Sequence, residues 1–262
     1  MQFVPFAAMT GLRKYEIALI PSLSCLRAIR SGTVRKKDGR RSVVVFADPV
    51  YSARDARVAR RGERVRSERP IFKRLAFSDD EAKYIVAEMS DALVLRGFDA
   101  SRSRLMSLPL TEFEVIHFAT HAVVNRKVPQ LSGLVLSLVD RRGDGVPGLL
   151  TLEDIYQLKV RRGSLVVLSG CDTGWKSASV GEGISGLTRG FLYAGARGVI
   201  ASLWAIDDAA AAQLMREFYS ELRKSSKSPA AALRDAQRRL ASIGRWSSPY
   251  YWAGFVYEGD WR

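Results

Sequence analysis

The sequence has little cysteine and little histidine, with two residues of each among 262. Two cysteines cannot form a disulfide framework, and Cys25 lies in an apolar stretch typical of a core, so a reducing compartment suits both thiols. No apolar run reaches the roughly 20 residues of a membrane-spanning helix, and the first residues lack the pattern of a signal peptide. We therefore expect a cytoplasmic protein with no membrane partner.

Acidic side chains are outnumbered, with 27 Asp and Glu against 41 Lys and Arg, which gives a formal net charge of +14. A positive field favours encounters with anionic partners. The densest basic stretch, residues 54–69, has no aromatic side chain to stack on a base and contains interspersed acidic residues. These features favour a solvated loop over a nucleic-acid-binding arm, so no specific nucleic-acid partner is predicted.

Short apolar runs alternate with amphipathic segments along the chain. Residues 42–47 predict a buried strand that stops at Asp48 and Pro49, and residues 78–81 predict a capping box for a helix whose apolar stripe runs to Leu93. Residues 133–150 predict a hairpin. The alternation predicts an α/β fold with a mostly parallel sheet and right-handed crossovers.

Cys171 directly follows an apolar strand pattern at residues 164–169, and His121 closes a similar run about 50 residues earlier. Loops at the carboxyl ends of parallel strands are where ligands and chemistry collect. A thiol and an imidazole at one such edge can act as a nucleophile and its base. His117 lies in the middle of its strand, and we expect it to be hydrogen-bonded inside the sheet.

A competing motif is the G-x-G-x-x-G pattern at residues 181–186, with Asp207 further along the chain as a dinucleotide-binding fold requires. In that fold the first glycine ends a strand, whereas here about a dozen residues separate the strand from Gly181. The sequence therefore disfavours nucleotide binding. The glycines instead predict a loop that bends over a substrate cleft and a closely packed helix.

Six short blocks occur in one order along the chain: HFATH (117–121), LVVLSGCDT (165–173), GEG (181–183), FLYAGA (191–196), ASLW (201–204) and WAGF (252–255). In their order and spacing these blocks resemble the CHAT domain family, which is similar to caspases, separases, gingipains and metacaspases. The resemblance covers almost the whole chain and implies a caspase-like, three-layer α/β/α fold with a mostly parallel sheet. An N-terminal pseudo-caspase-like half (1–105) would pack on a C-terminal catalytic half (106–262), and the protein would be bacterial.

The resemblance implies a cysteine endopeptidase in which Cys171 is the nucleophile and His121 is the acid–base partner. The backbone N–H groups of Cys171 and Ala122 would form the oxyanion hole. The family usually has glycine after the histidine, and alanine would be strained if that position needed a positive φ. Gly170 and Asp172 replace the more common Ala and Glu, as conservative variation.

Asp207 and Asp208 are candidate substrate-binding residues, since separase-like relatives select a basic side chain with an acidic residue in this region. The alternative is that one of them caps the helix that follows. Asp172 is a further substrate-binding candidate. The resemblance implies a protein substrate, no cofactor and no metal.

Regulation is the remaining expectation. CHAT domains often follow tetratricopeptide repeats, and no such repeat is visible here, so the chain resembles a protease domain whose activator is a separate segment or another protein. The competing interpretation is a catalytically silent caspase-like scaffold or a regulated protein-binding module, because fold does not imply activity.

Overall fold

The structure is a computed structural model that describes residues 5–9, 11–31, 42–59, 72–125, 127–170, 180–224 and 227–262. Most of the predicted basic loop at 54–69 lies outside these ranges, as do Cys171 and Asp172. Within the described ranges, no helix combines the length and the apolar composition that crossing a bilayer requires.

A seven-stranded sheet forms the centre of the described chain, in the order β1-β10-β9-β8-β4-β2-β3. Neighbouring strands pair in parallel, except that β10 pairs antiparallel with β9. This confirms the mostly parallel sheet. The strands are β1 (Ala18–Leu19), β2 (Ser42–Ala47), β3 (Asp91–Arg96), β4 (Val115–Ala119), β8 (Leu165–Leu168), β9 (Gly198–Ser202) and β10 (Phe255–Gly259).

A three-stranded antiparallel sheet lies beside the carboxyl end of β4. It consists of β5 (Ala122–Val123), β6 (Gly133–Val135) and β7 (Leu149–Thr151), in that order. The β6–β7 pair is the predicted hairpin, with Leu134 opposite Leu150. β5 was not predicted, because two residues are too few to show a periodicity.

Helices cover both faces of the large sheet and complete three layers. One face packs α2, α6 and α7 against a buried cluster that includes Val45 and Phe218, and the other packs α3, α4 and α5 around Phe46 and Phe191. The predicted α/β/α architecture is confirmed. The helices are α1 (Leu23–Ser31), α2 (Ser78–Glu88), α3 (Arg102–Ser107), α4 (Leu152–Gln157), α5 (Val180–Tyr193), α6 (Asp208–Leu222) and α7 (Pro229–Ser242).

The pairing of β2 with β4 joins residues 1–105 and 106–262 in one sheet. The division of the chain at this point stays a prediction. Gly181 and Gly186 lie within α5 rather than at the end of a strand, in keeping with the argument against a dinucleotide site.

Two local predictions near α2 are wrong. Phe77, not Ser78, precedes the helix, and it makes no side-chain cap; the Ser78 hydroxyl instead donates to the Leu75 carbonyl. Glu81, assigned to the capping box, is 2% exposed and points into the core. Leu93 belongs to β3 rather than to the helix. The prediction extended the helical stripe too far because the connection between α2 and β3 is short.

Candidate active site

The candidate site lies where β2, β4 and β8 end at the same edge of the sheet. Ala47 pairs with Ala119, and Phe118 pairs with Leu168, so the residues that follow these strands emerge side by side. They are Asp48 after β2, His121 shortly after β4, and Gly170 shortly after β8. The structure thus brings His121 to the edge that the sequence predicted.

His121 is 1% exposed, and its two ring nitrogens have different surroundings. Nε2 lies 2.6 Å from the carbonyl oxygen of Lys73. Since a carbonyl oxygen only accepts hydrogen bonds, Nε2 carries a proton, and in the neutral imidazole Nδ1 then presents a lone pair. Nδ1 is buried and has no hydrogen-bond partner among the described residues.

Two aromatic rings fix the plane of the His121 imidazole. The Tyr51 ring lies 5.1 Å from the imidazole and the Phe72 ring 5.5 Å, measured between centroids. The Tyr51 hydroxyl also lies 3.5 Å from the His121 backbone nitrogen. Burial raises the pKa of the Tyr51 hydroxyl well above its usual value, so the group stays neutral beside the imidazole.

Gly170 packs unusually close to the backbone of Thr120. A β-carbon at position 170 would collide with the Thr120 carbonyl oxygen and would lie 2.8 Å from its carbon and 2.9 Å from its nitrogen. In this backbone, position 170 accommodates glycine, whereas an added β-carbon would require the Thr120 backbone to shift. That glycine here is conservative variation within the family stays a prediction. Gly170 and Thr120 directly precede Cys171 and His121; Cys171 and Asp172 themselves lie outside the described residues.

Ala122 is buried in β5, opposite Leu134. Among the described non-glycine residues only Asp48 has a positive φ, so the strain considered for Ala122 does not arise. The Val135 N–H donates to the His121 carbonyl, which makes His121 and Val135 the hydrogen-bonded pair of this ladder. Because such pairs alternate along antiparallel strands, the Ala122 N–H points away from β6.

Asp207 is the N-cap of α6, with its Oδ1 accepting from the Ala210 N–H at 3.0 Å. The capping alternative considered from the sequence is therefore the observed role of this residue. The capping bond stabilises the first turn of α6, where an acidic group also interacts favourably with the helix dipole.

Asp208 lies in the first turn of α6, and its Oδ2 accepts from the Phe77 N–H at 2.9 Å. Burial raises the pKa of its carboxyl group, and the nearby carboxylates of Glu81 and Asp207 raise it further. A protonated, positively charged His121 imidazole would lower that pKa. Asp208 therefore lies close enough to His121 for their charges to interact, whereas the Asp207 side chain is engaged in its cap at the start of α6.

His117 lies in mid-strand, fully buried, on the face of the sheet covered by α2 and α6. Its Nδ1 is 3.0 Å from the Tyr219 hydroxyl, and its Nε2 is 3.3 Å from the Ser169 hydroxyl. Glu81 Oε1 lies 2.7 Å from Nε2 but lacks the geometry of a hydrogen bond. The predicted hydrogen bonding of His117 inside the sheet is confirmed.

Tyr219→Phe is expected to lower the free energy of unfolding by about 1–3 kcal/mol, because it leaves His117 Nδ1 buried without its partner. Urea denaturation measures this change. Tyr193→Phe is the matched control, since Tyr193 is 76% exposed and its hydroxyl can remain in water. Equal stability of the two variants would contradict a structural role for the Tyr219–His117 contact.

Sequence reasoning missed the Lys73 carbonyl, Tyr51 and Phe72. A backbone carbonyl has no sequence signature, and residues 72–77 follow the basic stretch without a periodic pattern. The Asp48–Pro49 pair was read only as a strand stop, although an acidic residue at this edge is itself a signal of function.

Among the described residues, no three His, Cys, Asp or Glu side chains lie close enough together to hold a metal ion. The groups around His121 are two aromatic rings, a backbone carbonyl and one carboxylate. These groups hold the imidazole in place and accept its Nε2 proton, an arrangement compatible with proton transfer at the other nitrogen.

A model of the CHAT domain matches residues 1–260, in agreement with the resemblance found in the sequence. Human and mouse Tetratricopeptide repeat protein 28 are each 30% identical to the chain, over 99% of this chain and 12% of the relative. The chain thus spans 12% of the length of these curated relatives. Both relatives are mammalian and give no support to the expected bacterial source.

Separase in the Saccharomyces cerevisiae separase–securin complex is similar in fold. Its TM-score is 0.55 at 13% sequence identity, and the match covers 98% of this chain and 15% of that chain. At this identity the likeness shows a shared caspase-like fold.

Proposed function

Because the chain belongs to the CHAT domain family, we propose that it is a cysteine endopeptidase in which Cys171 is the nucleophile and His121 its acid–base partner. One observation carries the proposal: His121 Nδ1 is buried with no partner among the described residues, while Nε2 donates to the Lys73 carbonyl. A neutral imidazole held in this tautomer presents a lone pair and can take a proton from a thiol.

The position of Gly170 supports the pairing of Cys171 with His121. The Gly170 backbone lies against the Thr120 backbone, and each of these residues directly precedes one member of the proposed dyad. A free thiol with a pKa near 8.5 is only a few per cent thiolate at neutral pH, so it needs such a neighbour to become a good nucleophile.

In the proposed reaction, His121 Nδ1 removes the Cys171 thiol proton, and the thiolate attacks the carbonyl carbon of the scissile peptide bond. As the tetrahedral intermediate collapses, the imidazolium gives its proton to the leaving amine, and an acyl-enzyme remains. Water, deprotonated by His121, then hydrolyses the thioester. Proton transfers of this kind are worth roughly 10²–10⁴-fold in rate.

The oxyanion of the intermediate would be held by the backbone N–H groups of Ala122 and Cys171. The Ala122 N–H is suited to this role because it points away from β6 and lies next to His121 in the chain. Donors that are already oriented stabilise the developing charge without reorganisation.

We propose that Asp208 favours substrates with an arginine or lysine at the cleaved position. It lies near His121 in a locally acidic region that also contains Asp207 and Glu81, and a cationic side chain would offset the cost of its ionised form. Asp207 contributes charge but uses one oxygen for its cap. Asp172 remains a candidate outside the described residues.

Asp208→Asn is expected to lower the preference for arginine over a neutral residue by about ten- to a hundred-fold, since a charge-assisted hydrogen bond is worth roughly 1.5–3 kcal/mol. Paired peptides that differ only at the cleaved position measure this ratio of kcat/KM values. Asparagine can still accept from the Phe77 N–H, so the local structure is kept. Asp207→Asn, which preserves the cap, is the comparison variant; a larger effect there would assign the specificity to Asp207 instead.

We further propose that a protein partner or an attached sensor region controls the activity. The matched relatives are named for tetratricopeptide repeats, and this chain covers a small part of them. The separase of similar fold was solved in complex with securin. Control of the proposed active site by a second protein or an attached repeat region would agree with both of these similarities.

Digestion of a mixed peptide library, with the cut sites mapped by mass spectrometry, tests the peptidase proposal. Wild-type cuts that cluster after basic residues and require Cys171 would support it. Reactivity of Cys171 toward iodoacetamide no greater than that of an ordinary thiol, together with the absence of cuts, would favour the catalytically silent scaffold.

A further inference from the structure

We propose that Asp48 is a positioning residue for the proposed dyad, which it serves by holding Arg74 so that the adjacent Lys73 carbonyl receives the Nε2 proton of His121. The consequence for catalysis rests on the proposed peptidase function. The consequence for the state of the imidazole does not, and it can be measured separately.

Asp48 is held in an unfavourable backbone conformation at the end of β2. Its φ is 49°, in the left-handed region, and its exposed fraction is 6%. Its N–H donates to the Ser78 hydroxyl at 3.1 Å, and its carbonyl accepts from the Gly97 N–H at 3.1 Å. Backbone strain that the surroundings hold in place is typical of functional regions.

The Asp48 carboxylate receives a forked contact from Arg74. Nε of Arg74 donates to Oδ1 at 2.8 Å, and Nη2 donates to Oδ2 at 2.7 Å. A bidentate contact of this kind fixes direction as well as distance. It therefore ties the side chain of Arg74, and with it the segment that carries Lys73, to the end of β2.

A second arginine keeps the Asp48 carboxylate from turning. Nη1 of Arg57 donates to Asp48 Oδ2 at 2.8 Å and to the Asp48 carbonyl at 2.9 Å. Arg57 is itself held by Asp55, through Nε at 2.8 Å and Nη2 at 2.7 Å. The buried carboxylate is thus compensated by two cations and cannot easily change its orientation.

From Arg74 the connection to His121 is one residue long. The Lys73 carbonyl, directly before Arg74, accepts the Nε2 proton, and Phe72 packs on the imidazole. At the other end of this segment, the Phe77 N–H donates to Asp208. The segment 72–77 is therefore held at Arg74 and at Phe77, and the Arg74 contact is adjacent to the carbonyl that matters.

The Lys73 carbonyl determines which nitrogen of the neutral imidazole can act as a base. With Nε2 protonated, Nδ1 can accept a proton; without this partner, the opposite tautomer becomes accessible and would offer the thiol a proton instead. No side-chain substitution can remove a backbone carbonyl. The Arg74–Asp48 contact, which positions the Lys73 carbonyl, can be removed by substitution.

Arg74→Gln tests the proposal, since the Arg74 side chain is 53% exposed and its replacement should not prevent folding. The rate of Cys171 alkylation by iodoacetamide near neutral pH is expected to fall roughly ten-fold, the lower end of the range known for losing a group that orients a metal-ligating histidine. The other described groups near His121, namely Tyr51, Phe72 and Asp208, are left unchanged by this substitution.

Nitrogen NMR of the two histidines gives a readout that a merely structural role would not move. Wild-type His121 should show protonation at Nε2, and Arg74→Gln should show a mixture of tautomers. His117, the only other histidine, is the internal reference. Asp48→Asn should give the same result, because asparagine also tolerates the left-handed conformation and removes only the charge.

Arg102→Gln is the matched control. Arg102 makes an equally forked contact with Asp154, at 3.0 Å and 2.6 Å, between α3 and α4. If the His121 tautomer and the alkylation rate are the same in Arg74→Gln as in Arg102→Gln, the positioning role is overturned. If the tautomer shifts in Arg74→Gln while wild-type Cys171 reacts as an ordinary thiol, the positioning role stands and the peptidase proposal fails.

Discussion

Replacing Cys171 by alanine is expected to abolish peptide cleavage, with kcat/KM falling by about 10⁴-fold or more, as is usual when a covalent nucleophile is lost. The reaction proposed here has no second group that could form the acyl-enzyme, because His121 only moves protons. Kinetics with a peptide chosen from the library digest, at equal enzyme concentrations, measure the change.

Cys25→Ala is the control for this substitution, since Cys25 is the chain's other thiol. It lies on α1, and partial burial and the Glu258 carboxylate raise its pKa. Cys25 should therefore be alkylated slowly, and its removal should leave cleavage intact. Cleavage that survives in Cys171→Ala but is lost in Cys25→Ala would contradict the assignment of the nucleophile.

Much of the fold follows from local sequence patterns where those patterns agree with the tertiary contacts. The run at residues 43–47 is apolar throughout because these residues of β2 are buried on both faces, and the predicted strand at 42–47 has these bounds in the structure. Pro229 at the first position of α7, with Ser228 as its cap, is a similar case. In both, the local signal and the packing require the same residues.

The errors occur where tertiary contacts override the local signal. Ser78 and Glu81 have the spacing of a capping box, but the Glu81 carboxylate turns inward to contact His117 at 2.7 Å. That contact joins α2 to β4, 36 residues further along the chain. A local rule could not anticipate it, because the partner of Glu81 is determined by how the helix packs on the sheet.

The candidate site was predictable in part, for the same reason. His121 could be recognised because a strand pattern ends there. Asp48 and Arg74 could not be connected to it, since the fork between them joins residues 26 positions apart across the basic stretch. The positioning of His121 thus depends on a fold-level contact whose sequence signal is only an acidic residue at a strand end.

Gly170→Ala is expected to lower kcat/KM by about 100-fold, the cost of a displacement of roughly 1 Å at a reacting group. The added β-carbon would meet the carbonyl oxygen of Thr120, so β4 and β8 would have to separate just before His121 and Cys171. Overpacking of this kind should also cost about 1–3 kcal/mol of stability. Steady-state kinetics and urea denaturation measure the two effects.

Gly244→Ala is the matched control, because a β-carbon at position 244 would meet no atom within 4 Å. It adds the same methyl group and restricts the backbone equally, so any activity lost only in Gly170→Ala reports the collision with Thr120. If Gly170→Ala were fully active and as stable as the control, the two strand ends could not be as close as the structure has them. The proposed proximity of Cys171 and His121, which depends on that approach, would then lose its geometric support.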